Sequence, residues 1–263
     1  MRELTFGFSP CPNDTFAFHA LVHGLVDAPF RVRPVLLDIE DLNRSAQRGE
    51  LELTKLSVGA MPGAERYRML RSGAALGHGV GPLVVARSER PLGDAVAGRI
   101  AIPGRQTTAF LLLRLLAGEP ADVVELRFDR ILAAVDRGEV VAGLIIHESR
   151  FTYRDHGLVA VADLGELWEA RTALPVPLAT ICARDDLGHD LEIAAEAAIR
   201  ASVEHAFAHP AASADYVAAH SQELSPEVCR QHIELYVNEF SIDVGDGGLA
   251  AIEALTEHAG APV

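Results

Sequence analysis

Residues 4–16 read LTFGFSPCPNDTF, an apolar run followed by a turn that contains two prolines. The run from Leu4 to Phe8 predicts a strand, and the apolar pattern from Phe16 to Val22 predicts a helix. Each proline fixes φ at about −65° and removes a backbone donor, while Asn13 or Asp14 can cap the helix. A turn this stiff and polar is either an ordinary strand-to-helix connection or one wall of a binding site.

Short apolar runs alternate with longer helical patterns along most of the chain, which predicts an α/β fold with largely parallel strands. The predicted helices Asp38 to Arg48, Thr107 to Ala117 and Asp129 to Arg137 each stop at a glycine, as helices commonly do. Besides Leu4 to Phe8, the predicted strands are Val32 to Leu37, Leu53 to Val58, Gly81 to Ala86, Arg99 to Ile102, Val123 to Phe128, Val141 to Ile146, Val159 to Ala162 and Ala179 to Ala183.

Beyond residue 186 the pattern changes, because helical periods follow one another without strands between them. This part of the chain predicts a C-terminal helical layer. Its helices are expected at Leu191 to His209, Pro210 to His220, Ser225 to Phe240 and Gly245 to Ala259.

Two similar apolar strands, Gly81 to Ala86 and Pro177 to Ala183, lie almost a hundred residues apart. A segment that leaves one domain, forms another and returns would place such strands together at the boundary. We therefore predict a discontinuous larger lobe, 1–91 with 175–263, and an inserted smaller lobe, 92–174. The ligand cleft is expected between them.

Composition limits the classes of function. The 263 residues are 49% hydrophobic, which suffices for a packed core, and their formal net charge of −14 argues against binding nucleic acid or an anionic membrane. The N-terminus lacks the pattern of a secretory signal, so we expect a cytoplasmic protein. Three widely spaced cysteines, Cys11, Cys182 and Cys229, fit neither a disulfide framework nor a zinc cluster. The oligomeric state, and whether Cys11 contacts a ligand or only packs the turn, stay open.

The loop of residues 103–109, PGRQTTA, lies between a predicted strand and the apolar helix after it. Such a loop can bring two hydroxyl groups and several backbone N–H groups to one point, which suits a carboxylate or a phosphate. Thr107 and Thr108 are therefore candidate binding residues. Alternatively, Thr107 only caps the helix.

Two ionisable side chains stand in or at the end of apolar strands. His147 follows Val141 to Ile146, at the strand end where α/β proteins bind ligands, and its imidazole can accept and return a proton near neutral pH. Ten other histidines compete with it, and a lone histidine is more often structural. Lys55 lies within Leu53 to Val58, so its ammonium must meet an anion or reach solvent at the strand edge.

Several motifs of known chemistry are missing from the sequence. It contains no glycine-rich dinucleotide or phosphate loop, no Gly-x-Ser-x-Gly elbow and no His-Glu-x-x-His segment. Nucleotide, serine hydrolase and zinc protease chemistry therefore lack their main support.

Four motifs together carry a family resemblance: residues 9–16 (SPCPNDTF), 54–57 (TKLS), 104–109 (GRQTTA) and 143–148 (GLIIHE). In this order, and over nearly the full length, the chain resembles the 1,4-dihydroxy-6-naphthoate synthases of the futalosine route to menaquinone. The resemblance implies the two-lobed fold of type II periplasmic binding proteins, with mixed sheets flanked by helices. It also implies a carbon–carbon lyase that converts cyclic dehypoxanthine futalosine to 1,4-dihydroxy-6-naphthoate and dihydroxyacetone.

The resemblance also assigns roles to residues. It implies that His147 is the proton-abstracting base and that the small-molecule carboxylate substrate is bound without a metal or an organic cofactor. The substrate-contacting segments fall on Lys55, Leu56 and Ser57 and on Thr107 and Thr108. The expected cleft-wall residues are Ser9, Asn13 and Asp14.

Two other functions stay open. One is chorismate dehydratase, an enzyme of the same pathway with the same two-lobed fold; the opening motif and the strand end at His147 favour the naphthoate synthase. The other is a non-enzymatic protein that binds a small carboxylate, because a fold alone does not determine function.

Overall fold

The computed structural model describes residues 1–222 and 225–259 of the chain. The strands are β1 (Arg2–Phe8), β2 (Phe30–Leu36), β3 (Leu53–Ser57), β4 (Tyr67–Met69), β5 (Ala75–Gly77), β6 (Leu83–Ala86), β7 (Arg99–Ile102), β8 (Asp122–Glu125), β9 (Ala142–Ile145), β10 (Val159–Asp163) and β11 (Val176–Arg184). The helices are α1 (Pro12–Val22), α2 (Ile39–Arg48), α3 (Leu92–Ala97), α4 (Thr108–Ala117), α5 (Phe128–Asp136), α6 (Ser149–Thr152), α7 (Leu164–Thr172), α8 (His189–Ala208), α9 (Ala214–His220), α10 (Pro226–Tyr236), α11 (Glu239–Ile242) and α12 (Gly245–Ala259).

The strands form two mixed sheets. The first has the order β2-β1-β3-β11-β4, with β5 also paired to β11, and the second has the order β10-β6-β9-β7-β8. β1 runs parallel to β2 and β3, and β7 runs parallel to β8 and β9. β11 is antiparallel to β3, β4 and β5, and β6 is antiparallel to β9 and β10.

These pairings confirm the mixed sheets that the family resemblance implies. The largely parallel arrangement expected from the alternation alone is wrong. A helical crossover within one sheet keeps successive strands parallel. The strands that precede β6 and β11 along the chain lie in the other sheet, so no helical crossover within one sheet sets the direction of β6 or β11.

All nine predicted strands occur, with small shifts at their ends. The sequence patterns missed β4 and β5, which are three residues long each, and the helices α3, α6 and α7. A three-residue strand is too short to show a clear alternation of apolar and polar positions.

The strand pairing disagrees with one argument used to predict the boundary between the lobes. β6 and β11 lie in different sheets, so the expectation that these two similar strands lie together is wrong. The division into 1–91 with 175–263 and 92–174 stays a prediction. Because β6 belongs to the second sheet, the pairing favours an earlier first crossover, in residues 78–82 between β5 and β6.

The C-terminal part of the described chain is helical, as the sequence predicts. The expected helix from Ser225 to Phe240 is interrupted after α10, and Asn238 caps the short α11 by accepting a hydrogen bond from the Phe240 N–H. None of the described helices is both long and apolar enough to cross a membrane.

Aromatic packing fixes α1 against the first sheet. The rings of Phe6, Phe8 and Phe18 are buried, and their centroids lie 5.0 to 5.3 Å apart. Ser202 on α8 adds a hydrogen bond from its hydroxyl to the Ala17 carbonyl, at 2.8 Å. This packing holds the N-terminus of α1 at the carboxyl end of β1.

The start of α1 differs from the expectation. The N-cap residue is Cys11, whose side chain makes no capping bond, and Pro12 occupies the first helical position, where its missing N–H costs nothing. The prediction that Asn13 or Asp14 caps the helix is therefore wrong. Both lie in the first turn, and the Asp14 carboxylate accepts a hydrogen bond from the Ser9 N–H at 3.0 Å.

Candidate active site

A cavity lies where the carboxyl ends of β1, β3, β7 and β9 meet. This is the place where α/β sheets bind ligands. Of the residues predicted from the sequence, those that line the cavity are Asn13, Lys55, Ser57, Thr107, Thr108 and His147. Because these residues come from both sheets, the cavity is built by the two sheets together.

The alternation of side chains along β3 decides which of its residues reach the cavity. Lys55 and Ser57 line it, whereas Leu56 points to the opposite face and packs in a buried cluster with Ala46 and Cys182. Asn43 on α2 holds Ser57 from behind, because its side-chain amide donates to the Ser57 hydroxyl at 3.0 Å and accepts from the Ser57 N–H at 2.9 Å.

Lys55 meets an anion from the same protein. Its Nζ lies 2.5 Å from Oδ1 of Asp14, and both side chains are about 4% exposed. Asp14 also accepts hydrogen bonds from the Ser9 N–H and from the Asn13 side-chain amide, at 3.0 and 2.9 Å. Ser9 and Asp14 therefore lie behind the cavity wall and hold Lys55 and Asn13, which form it.

Both threonine hydroxyls at the start of α4 make internal hydrogen bonds. Thr107 accepts from the Phe110 N–H at 3.2 Å, so it caps α4, and it donates to the Gly104 carbonyl at 2.8 Å. Thr108 donates to the carbonyl of Leu178 on β11 at 2.6 Å and accepts from the Gly59 N–H at 3.1 Å. The main polar groups that α4 presents to the cavity are therefore its first backbone N–H groups. These have no carbonyl acceptor within the helix.

His147 follows β9 in a left-handed backbone conformation, with φ of 56°, which non-glycine residues rarely adopt. Its ring contacts Phe128 edge to face, with centroids 4.8 Å apart, and its Nε2 atom is buried without a hydrogen-bond partner among the described residues. Burial, with a smaller effect of the Lys55 charge, lowers the pKa of His147 from 6.5 to about 3. The imidazole is therefore neutral at physiological pH, while the same burial makes it a weaker proton acceptor than an exposed histidine.

The sequence interpretation missed two polar side chains of the cavity wall. His232 and Tyr236 lie one turn apart on α10, and both line the cavity. Within the helical pattern of residues 225–240, His232 was one of many histidines with no feature of its own. Its spacing of four residues from Tyr236 places both polar side chains on one helix face, and that was the available signal.

One group of potential metal ligands occurs among the described residues. The donor atoms of Cys11, His147 and Glu148 all lie within 4.8 Å of one another, and zinc uses ligands of these types. Burial, followed by the Glu148 and Asp14 carboxylates, raises the pKa of the Cys11 thiol well above its usual value. Cys11 is therefore a neutral thiol, so a metal would have to displace its proton, and the thiol is poorly suited to act as a nucleophile. That the protein needs no metal stays a prediction.

Comparison with known proteins places the chain in a family. The profile of the family described as Menaquinone biosynthesis matches residues 4–261. The chain belongs to this family. Two curated relatives, both named 1,4-dihydroxy-6-naphthoate synthase, are similar to it over nearly its whole length. The relative from Thermus thermophilus is 57% identical over 97% of this chain and 93% of its own. The relative from Streptomyces coelicolor is 44% identical over 98% of this chain and 93% of its own.

Solved structures show the same architecture. A protein from Archaeoglobus fulgidus superposes with a TM-score of 0.92 at 38% identity and covers 98% of this chain and 96% of that one. The ligand-binding component of an ABC-type import system from Staphylococcus aureus, solved with zinc bound, gives 0.71 at 14% identity over 98% and 91%. The alkanesulfonate-binding protein from Xanthomonas axonopodis pv. citri, bound to MOPS, gives 0.69 at 16% over 90% and 84%. These two distant likenesses concern the fold alone, and they confirm its two-lobed, periplasmic-binding-protein-like class.

Proposed function

We propose that this member of the menaquinone biosynthesis family is a carbon–carbon lyase. Its substrate is cyclic dehypoxanthine futalosine, and its products are 1,4-dihydroxy-6-naphthoate and dihydroxyacetone. The names of the two curated relatives support the product. The observation that carries the proposal is the neutral imidazole of His147, whose buried Nε2 atom has no partner among the described residues, on the wall of a cavity at the strand ends.

His147 acts as the general base. It removes a proton from the bound substrate, and the electron pair left behind drives cleavage of the bond to the three-carbon fragment. That fragment leaves with the electron pair of the broken bond and takes up the proton from His147, which restores the base. The developing aromatic ring supplies driving force, so the step needs no separate electron sink. A base must be unprotonated to act, and burial keeps His147 in that form.

The cavity offers polar groups for the substrate carboxylate and hydroxyl groups. The first N–H groups of α4 favour an anion, both by hydrogen bonding and through the helix dipole. Lys55 and Ser57 face the same space from β3. Because Asp14 already neutralises the Lys55 ammonium, we assign the carboxylate to the N-terminus of α4 and the oxygen-rich remainder to Lys55 and Ser57.

The test compares His147→Asn and His147→Ala with the wild-type protein, first stripped with a chelator, on cyclic dehypoxanthine futalosine and on chorismate. Loss of a general base lowers kcat by roughly 10²- to 10⁴-fold, while substrate affinity should stay nearly unchanged. His189→Asn, at an exposed position on α8, is the matched control and should leave turnover unaltered.

Four results would contradict the proposal or a part of it. Full turnover by both His147 variants would show that His147 is not the general base. Turnover of chorismate alone would make the protein a dehydratase, and binding without turnover of either compound would make it a carboxylate-binding protein. Turnover restored only by adding a metal back would contradict the metal-free part of the mechanism.

A further inference from the structure

His232 is a buried imidazole on the cavity wall that the base mechanism leaves without a role. It projects from α10 and is 1% exposed, and its Nδ1 atom has no hydrogen-bond partner among the described residues. A buried polar group without a partner destabilises the protein. Because His232 also lines the cavity, an oxygen of a bound molecule that reaches this nitrogen can remove the cost.

The ring of His232 is held by aromatic neighbours. Tyr236, one turn along α10, lies with its ring centroid 4.6 Å away, and Phe151 packs edge to face at 6.2 Å. These contacts orient the imidazole without using its nitrogen atoms. The ring is therefore positioned before a ligand arrives.

His232 faces the candidate base. The ring centroids of His147 and His232 lie 6.3 Å apart, although His147 follows β9 of the second sheet and His232 belongs to the C-terminal helices. The unpartnered atoms are His147 Nε2 and His232 Nδ1, so these two nitrogens do not bond to each other. Both residues line the cavity, so one bound substrate can contact both rings.

The protonation state of His232 restricts its chemistry. Burial, followed by the proximity of His147 and of the Lys55 ammonium, lowers its pKa well below 6.5. It therefore enters the reaction neutral, with one ring nitrogen as a donor and the other as an acceptor. A neutral imidazole has no proton to give away as an ordinary acid, but it can donate a strong hydrogen bond in a dry site.

We propose that His232 is a second catalytic residue, which donates a hydrogen bond from its ring N–H to the substrate oxygen that becomes negative when His147 removes the proton. The inference rests on the proposed function. The abstracted proton passes to His147, the charge develops on the substrate oxygen, and His232 keeps its own proton throughout. The two histidines thus divide the work, one as base and the other as stabiliser of the anion.

The experiment measures kcat and KM of His232→Phe, His232→Asn and His232→Gln with cyclic dehypoxanthine futalosine. Phe keeps a ring in place and has no donor, while Asn and Gln offer an amide donor near the positions of Nδ1 and Nε2. Loss of one such donor lowers kcat by roughly 10²- to 10³-fold. We expect that loss in His232→Phe with KM changed much less, and recovery of at least tenfold in one of the amide variants. His189→Phe is the matched control.

A second measurement does not depend on variants. In wild-type protein labelled with ¹⁵N-histidine, binding of 1,4-dihydroxy-6-naphthoate should shift the His232 ring N–H resonance in the direction of a stronger hydrogen bond. Wild-type kcat in His232→Phe, or an unchanged resonance in the bound protein, would overturn the role of His232 and leave the proposed function intact. Absence of turnover by the wild-type protein would overturn both.

Discussion

Single residues set the electrostatics of the cavity, and the pair of Asp14 and Lys55 is the clearest case. Both side chains are buried, so each charge would be very costly alone. Their contact leaves the cavity with little net positive charge although a lysine lines it. The neutral histidines, His147 and His232, add none. Binding of an anion therefore depends on backbone N–H groups more than on a cationic side chain.

The pKa of His147 leads to a prediction for activity. The pH dependence of kcat/KM reports the free protein, in which this pKa is lowered to about 3. The basic form exists above that value and is lost only as the pH falls through it. From pH 8 to pH 5.5 we therefore expect kcat/KM to change less than about twofold, whereas a base of ordinary pKa, about 6.5, would lose roughly tenfold.

The measurement is a kcat/KM profile at constant ionic strength, with circular dichroism at each pH to confirm that the protein stays folded. His232, Lys55, Glu148 and Cys11 surround His147, so the same profile for His232→Gln separates the two histidines. An acidic limb centred near pH 6.5 that persists in this variant would contradict a buried, neutral base.

At the scale of elements, the N-terminus of α4 joins structure and function. Thr107 caps the helix, and Thr108 connects it to β11 and to the loop after β3. The sequence left open whether Thr107 binds a ligand or caps the helix, and the hydrogen bonds favour the cap. The direct contribution of this segment to binding is then its backbone.

Thr107→Val should accordingly act on stability first. It removes the acceptor for the Phe110 N–H, and loss of such a cap lowers the free energy of unfolding by about 1 kcal/mol. Thr107→Ser keeps the hydroxyl and should stay near the wild-type value. Urea unfolding checks both variants, and substrate titration shows whether affinity changes. If the two variants are equally stable and only Thr107→Val loses affinity for the substrate, the Thr107 hydroxyl contacts the ligand and the capping interpretation is wrong.

Two kinds of sequence reasoning predicted much of this arrangement: the local apolar patterns, and the rule that α/β sheets bind ligands at the carboxyl ends of their strands. They located the strands that carry Lys55 and His147 and the loop that carries Thr107, because each is a short-range feature of the sequence. They missed His232, since its place on the wall depends on how the C-terminal helices pack over both sheets. The family resemblance included Leu56 in a substrate-contacting segment, whereas the alternation along β3, counted from Lys55, places Leu56 on the opposite face.

At the scale of the whole molecule, contacts outside the cavity join elements of the two sheets. Arg44 on α2 lies 2.8 Å from the Glu125 carboxylate on β8, and Glu40 on α2 accepts from the Gln106 N–H before α4, at 3.2 Å. No sequence pattern predicts such contacts, because they join segments far apart in the chain. They favour a closed cavity, which excludes water from the base.

Arg44→Ala should therefore shift the substrate-free protein toward open forms. The Arg44 and Glu125 side chains are 46% and 34% exposed, so the pair is screened by salt. We expect a larger radius of gyration by small-angle X-ray scattering and a higher KM. Saturating substrate should restore compactness and a nearly normal kcat, because substrate binding can supply the closure that the ion pair no longer favours.

The matched control is Arg230→Ala, whose ion pairs with Glu227 and Glu234 stay within α10. It should change neither the radius of gyration nor KM. Raising the salt concentration should move wild-type protein toward the behaviour of Arg44→Ala and leave that variant nearly unaffected. If Arg44→Ala and wild type scatter alike at low salt, the pair does not hold the two lobes together, and closure then depends on the buried contacts of Thr108 and Glu40.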